Sequence, residues 1–174
     1  MFRFSFGRIR QVLLMAFVLS AATPALAGPP WISIEVPGNP YEEGARDAFL
    51  VVHAFHHMSP DDAPLTGVAE GTVNGRRRTI PLSFQKMSRV GAFGVKKQWP
   101  DSGVWVLAFT VTEHGNAEAS ALVSVGEDGQ VAKVQTLGAR QANGYVMPRA
   151  YTKSDVDAAL HEMQVRAVAL RGLR

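Results

Sequence analysis

The chain has 174 residues and no cysteine, with 18 Lys and Arg against 15 Asp and Glu. The lack of cysteine excludes disulfides, thiol catalysis and cysteine-ligated metal clusters, so stability must come from burial alone. The positive surplus lies in Arg3, Arg8 and Arg10, and from Gly28 onward the basic and acidic side chains balance. That balance gives no global electrostatic reason to expect nucleic acid or acidic lipid as a partner.

Residues 1–27 read as a cleaved secretory signal peptide. The three arginines precede the apolar run Val12 to Ala22, Thr23-Pro24 breaks it, and Ala25-Leu26-Ala27 supplies the small-x-small site, cut after Ala27. The competing reading is a membrane anchor. As a helix that run covers roughly 17 Å, short of a hydrocarbon core of about 30 Å. No later segment approaches the length of a span, and without cysteine there is no lipobox. The expectation is therefore an exported protein, periplasmic or extracellular, with no membrane span in the mature chain.

Beyond Gly28 the apolar residues recur mostly with period two. Trp31 to Val36 reads as a short strand stopped by Pro37-Gly38-Asn39-Pro40, and Phe49 to Phe55 as a strand buried on nearly both faces. Ser59 to Pro64 is dense in turn residues. Val68–Val73 and Arg78–Phe84 flank Asn74-Gly75, a dipeptide that accepts the positive φ values of a type I′ turn. Pro81 cannot donate to a ladder, which places the second arm at a sheet edge. Arg76-Arg77-Arg78 is the one strong basic cluster, read as a solvated hairpin tip in preference to a docking patch.

Phe93–Trp99 alternates, and Pro100-Asp101-Ser102-Gly103 turns. Val104–Val111 is the most apolar stretch and the expected central strand, with Ala121–Val125 and Val131–Val134 closing the sheet part around Glu127-Asp128-Gly129. Residues 139–149 read as an irregular connection. Ser154 reads as a helix N-cap, with Asp155 and Asp157 in the first turn, where the helix dipole favours negative charge. Val156, Leu160, Met163 and Ala167 follow at helical spacing, so 155–170 reads as an amphipathic helix, with Arg166, Arg171 and Arg174 towards its end. Its acidic first turn and small apolar face favour a helix packed on the sandwich, or a fraying tail, over a membrane-surface or partner helix. Seven or so strands and a terminal helix predict a mainly β chain: an immunoglobulin-like antiparallel β-sandwich over 28–138, then a connection and C-terminal α-helix over 139–174.

The segment Gly91 to Val111, centred on Trp99-Pro100-Asp101-Ser102-Gly103-Val104-Trp105-Val106-Leu107, resembles the end of a YtkA-like domain and the related CopC-type and FixH-type sandwiches. Those exported bacterial domains show an aromatic strand, a Pro/Gly turn, then Gly-x-Trp-x-Leu. Ala63 to Gly71 also fits the family's turn into its next strand, and the likeness covers about residues 31–126. It implies an exported immunoglobulin-like module, sometimes associated with copper handling, with Trp105, and with it Trp99 and Phe109, in the core. CopC-type copper binders carry a histidine at the mature N-terminus. Here Gly28-Pro29-Pro30 stands there, without an imidazole to chelate beside the amine, so the resemblance transfers no ligand.

One constellation carries metal-binding chemistry. His53, His56, His57 and Met58 end the second strand and His114 ends the sixth; in a seven-strand sandwich those two strands run the same way and finish at one pole. His53 and His57 are expected on one strand face, His56 and Met58 on the other. Imidazole with thioether suits copper and imidazole alone suits zinc, against the plainer reading of half-buried structural histidines. No Gly-x-Ser-x-Gly elbow or phosphate loop is present, and Glu42-Glu43 and Asp61-Asp62 are adjacent loop acids that diverge on extended chain. The function expected is non-enzymatic: a binding or accessory module for an envelope protein or small ligand, with loops Pro37–Gly44 and Ser59–Thr66 as contact surfaces and no cofactor required. Copper or zinc handling at the histidine pole is the alternative, and a purely structural role in an assembly the third.

Overall fold

The computed structural model describes residues 28–57, 59–113 and 117–172, so the predicted signal peptide, Met58 and His114 lie outside the described residues. The chain is mainly β, with antiparallel sheets and one C-terminal helix. β1 (Pro30–Glu35), β2 (Leu50–His56), β7 (Ala92–Val95) and β6 (Gln85–Lys86) form one sheet in that order, with β3 (Ser59–Pro60) beside β2. The second sheet runs β10 (Val131–Thr136), β9 (Glu118–Val125), β8 (Val104–Thr112), β4 (Leu65–Val73), β5 (Arg76–Pro81).

The two sheets bury one shared core. Ile32, Leu50, Val52 and Ala54 of the first meet Trp105, Leu107, Phe109, Val111 and Val123 of the second. Period two explains the choice: alternate residues of each strand face inward. β8 is central in its sheet, as its apolar run predicts, and is buried on both faces. Its odd positions fill the inter-sheet core, while Val104, Val106 and Ala108 join Leu122 and Leu137 against the helix residues Val156, Leu160 and Met163. A strand covered on both sides has no polar phase, and hence the unbroken sequence Val-Trp-Val-Leu-Ala-Phe.

Trp105 and Trp99 are buried, Phe109 is fully so, and the Trp105 indole N–H donates to the Ser102 carbonyl at 3.0 Å. Trp99 meets Phe49 edge to face at 5.0 Å between ring centroids. Asn74 and Gly75 both take positive φ, +50° and +75°, and join β4 to β5, which is an edge strand as Pro81 requires. The three tip arginines are exposed, as expected of a hairpin tip, but Arg77 is also engaged: it bonds Glu70 (Nε to Oε2, 2.8 Å) and pairs with Asp157 of the helix, tying the hairpin to it.

Three expectations need correcting. Residues 139–149 are not irregular. β11 (Gly138–Arg140) and β12 (Val146–Pro148) form a small antiparallel hairpin around Asn143-Gly144, with Asn143 Oδ1 accepting from the Tyr145 N–H at 3.1 Å. The strand expected over Phe93–Trp99 ends at Val95. The helix, α1 (Lys153–Arg171), is capped by Thr152 in place of Ser154. Thr152 Oγ1 accepts from the Asp155 N–H and the Asp155 side chain accepts from the Thr152 N–H, a reciprocal cap that Ser154, already helical, has no part in. Arg149 then grips both Asp155 oxygens at 2.7 Å. The buried stripe of α1 is the predicted one, with Val156, Leu160 and Met163 buried and Ala167 partly so, and the helix packs on β8, β9 and β4.

Candidate functional site

The histidine pole is built by register. β1 pairs with β2 so that Pro30 stands opposite His56, which carries Gly28 and Pro29 past the end of β2. Along β2 the even positions Leu50, Val52 and Ala54 face the inter-sheet core, so His56 continues that phase at its open end. β8, in the facing sheet, ends at Thr112, and the His56 Nδ1 atom lies against the carboxylate of the next residue, Glu113, most of which is buried. The ends of the second strand and of β8 therefore do meet at one pole.

His57 leaves the strand. Its φ of +47° is a left-handed conformation uncommon for a residue with a side chain, though histidine is among those enriched there. The turn brings its ring edge-on to His56, 4.2 Å between centroids, and against Gly28, whose backbone nitrogen lies 3.2 Å from Nδ1 and 3.0 Å from Nε2. A Cβ on Gly28 would sit 3.0 Å from Nδ1, so a side chain there would have to push the ring aside by a few tenths of an ångström.

His53 does not belong to this group. It lies in the outward phase of β2 with Val51, and its Nε2 bonds Glu35 Oε2 at 2.8 Å, where Arg89 also reaches. The shared face expected for His53 and His57 is lost because the chain turns at His57. Burial pushes the Glu35 carboxyl up, but the His53, Asn39 and Arg89 hydrogen bonds outweigh it and hold the group below its ordinary value. Met58 and His114 lie outside the described residues. Among the described residues no three His, Asp or Glu side chains are arranged around one point; His56, His57 and Glu113 pair off in sequence. The sequence reading did not single out Glu113, and it set the Gly28 amine aside for want of an adjacent imidazole. The first was signalled only by its place next to His114, the second by nothing but the β1–β2 register.

Two of the four loop acids, Glu42 and Asp62, are tied up structurally. Glu42 takes Arg89 at 2.8 Å, while Asp62 takes Lys86 at 2.6 Å and the Gly91 N–H at 2.9 Å. These hydrogen bonds, the Lys86 contact foremost, hold the Asp62 carboxyl below its ordinary value.

A second feature is apolar. Ile32 and Ile34 turn inward from β1, which leaves Trp31 in the outward phase, 47% exposed on an edge strand. It borders a cleft of about 260 Å³ with Ala119, Leu137, Val146 and Pro148, between β1, β9 and the β11–β12 hairpin. Tyr145, Val146 and Met147 of that hairpin are themselves exposed. The outward phase of Trp31 was available in the sequence as its alternation with Ile32 and Ile34. Among the described residues no helix is long and apolar enough to cross a membrane.

In comparisons with known proteins, no family model, no curated protein and no solved structure matches this chain.

Proposed function

We propose that this chain is a non-enzymatic binding or accessory module that acts outside the cytoplasm, periplasmic or extracellular, after loss of residues 1–27, on an immunoglobulin-like sandwich. The strand order β1-β2-β7-β6 opposite β9-β8-β4-β5 supports the immunoglobulin-like reading, because it matches the A-B-E-D and G-F-C arrangement of that fold with an added edge on each side of the second sheet. The resemblance to YtkA-like, CopC-type and FixH-type domains stands as part of the same proposal.

The binding reading rests on Trp31. A large aromatic left half exposed on an edge strand, bordering an apolar cleft, is the kind of anchor that recognition surfaces use. It is a better contact surface than loops 37–44 and 59–66, where Glu42 and Asp62 are already engaged. The test is photo-crosslinking in envelope preparations with the label at Trp31, at Val146, or at Thr79 on the far edge strand. The reading requires one partner captured from the first two positions and not from the third, with capture from Val146 lost in Trp31→Ala. Equal capture from all three would end it.

A second reading, copper or zinc handling, is favoured by the chain of contacts from Gly28 through His57 and His56 to Glu113.

A further inference from the structure

We propose that the partner at Trp31 adds a strand: an extended segment of another protein, apolar at every second position, pairs with the free edge of β1 and lies over the inner face of β10. The inference deepens the binding reading at Trp31 and rests on it.

The edge follows from the ladder register. Ala54 turns both backbone groups away from β1, its N–H donating to the Gly91 carbonyl at 2.8 Å and its carbonyl accepting from the Asp61 N–H at 3.0 Å. Ile32 stands opposite Ala54, so it turns its own N–H and carbonyl away from β2, and two residues on Ile34 does the same. Among the described residues no strand lies on that side to receive them. The other outer strands of the two sheets are defended against such pairing. β5 carries three arginines and Pro81, β10 has Lys133 and a break in register at its start, and β6 is two residues long and includes Lys86. β1 has six residues in unbroken register, no lysine or arginine, and its proline only at the first position.

The space beside that edge lacks a cover. Val134 and Thr136 of β10 stand opposite Val123 and Ala121 of β9, and cross-strand partners share a face. Val123 and Ala121 belong to the inter-sheet core, yet Val134 is 43% exposed and Thr136 is exposed too. The cause is topological: β1 packs over β9 and ends its sheet, while the facing sheet continues one strand further, to β10. A strand added to β1 would fall over β10, enclose Val134, and direct apolar side chains into the cleft that Trp31, Leu137 and Val146 border. It would meet the backbone groups of Ile32 and Ile34 in the same step. The β1 strand of a second copy does not fit, because its own β9 already covers its inner face, where Val134 would have to lie. The donor is therefore a segment not already held in a sandwich.

The probe is a short peptide alternating valine and threonine between terminal lysines, offered to the protein beginning at Gly28 while amide hydrogen exchange is followed by NMR. Expected are Ile32 and Ile34 amides that exchange fast in the free protein and about tenfold or more slowly with peptide. Ser33 and Glu35, already bonded to β2, should change little. Val134→Lys, at an exposed position that leaves the fold intact, should weaken binding by about tenfold or more, since it sets a charge beneath the added strand. Thr79→Lys on β5 should not weaken it, and a fully N-methylated peptide, unable to donate to the ladder, should not bind. Peptide binding that shifts Trp31 emission but leaves both isoleucine amides fast would overturn strand addition while keeping Trp31 as a contact. Ile32 and Ile34 amides already slow in the free protein would overturn it as well, as would amides that slow only when the protein concentration is raised, the sign of a second copy. Failure of the peptide to bind would also overturn it, and photo-crosslinking from Trp31 would then decide the wider reading by itself.

Discussion

Trp105 of β8 lies directly across the ladder from Gly71 of β4, and its six-membered ring occupies the space where a side chain on Gly71 would be: an ideal Cβ there would come within 2.4 Å of the indole. The glycine is present for space rather than for an unusual backbone angle. Gly71→Ala therefore forces either the ring or two central strands to move, a cost of about 1–3 kcal/mol by overpacking. Urea unfolding should show a lower midpoint with unchanged slope. An unchanged midpoint would mean that the indole does not pack there.

The helix cap makes stability depend on acidity. The Arg149 guanidinium first, and the Thr152 hydroxyl and N–H after it, hold the Asp155 carboxyl well below its ordinary value of 3.8 against the opposing effect of burial. A carboxyl depressed in the folded state contributes stability that is complete above the unfolded pKa and disappears as pH falls through the folded one. Asp155→Asn should thus be less stable than the wild type at neutral pH, and the gap should begin to narrow only as pH falls below about 4. Thr152→Ala should cost about 1 kcal/mol, while Ser154→Ala should cost far less, since Ser154 does not cap. Far-UV circular dichroism during acid and urea titrations reads all three; a cost at Ser154 equal to that at Thr152 would refute the assignment.

Inside β8 and β9, Thr110 and Ser120 face each other as a cross-strand pair and share a hydrogen bond of 2.8 Å, both buried. Removing one hydroxyl strands the other, at about 1–3 kcal/mol, whereas removing both leaves nothing unpaired. Ser120→Ala alone should therefore be more destabilising than Ser120→Ala combined with Thr110→Val. Simple addition of the two single effects in a double-mutant cycle would show that the pair is not coupled.

The three tryptophans divide into one outer and two inner. Trp31 is 47% exposed, against 4% for Trp99 and 1% for Trp105. Acrylamide should quench a minor, red-shifted part of the native fluorescence, and Trp31→Ala should abolish that part with little change in unfolding midpoint. Uniform quenching of all the emission would contradict this placement.

How far these features could be read from the sequence depends on the range of the interaction. Period two and Asn74-Gly75 are local, and they located β1, β2, β4, β5, β8, β9 and β10. The hairpin at 138–148 was missed although Asn143-Gly144 carries the same kind of turn signal, because strands of three mostly exposed residues leave no apolar alternation to notice. Thr152 and Ser154 are both good caps by type, and only the reciprocal bond to Asp155 decides between them. At the pole, His56 and His57 stood out by their residue type. The partners they contact, Gly28 and Glu113, are brought there by strand register and by the stacking of two sheets, which a linear pattern does not encode.

Because β8 is apolar on both phases, its sheet cannot stand with one side wet. A chain truncated before Thr152 would leave Val104, Val106, Ala108, Leu122 and Leu137 as one bare greasy surface, and such a fragment should gather into soluble clumps or precipitate rather than persist as a lone folded unit. Residues 152–172 thus serve as the lid over that face of the sheet.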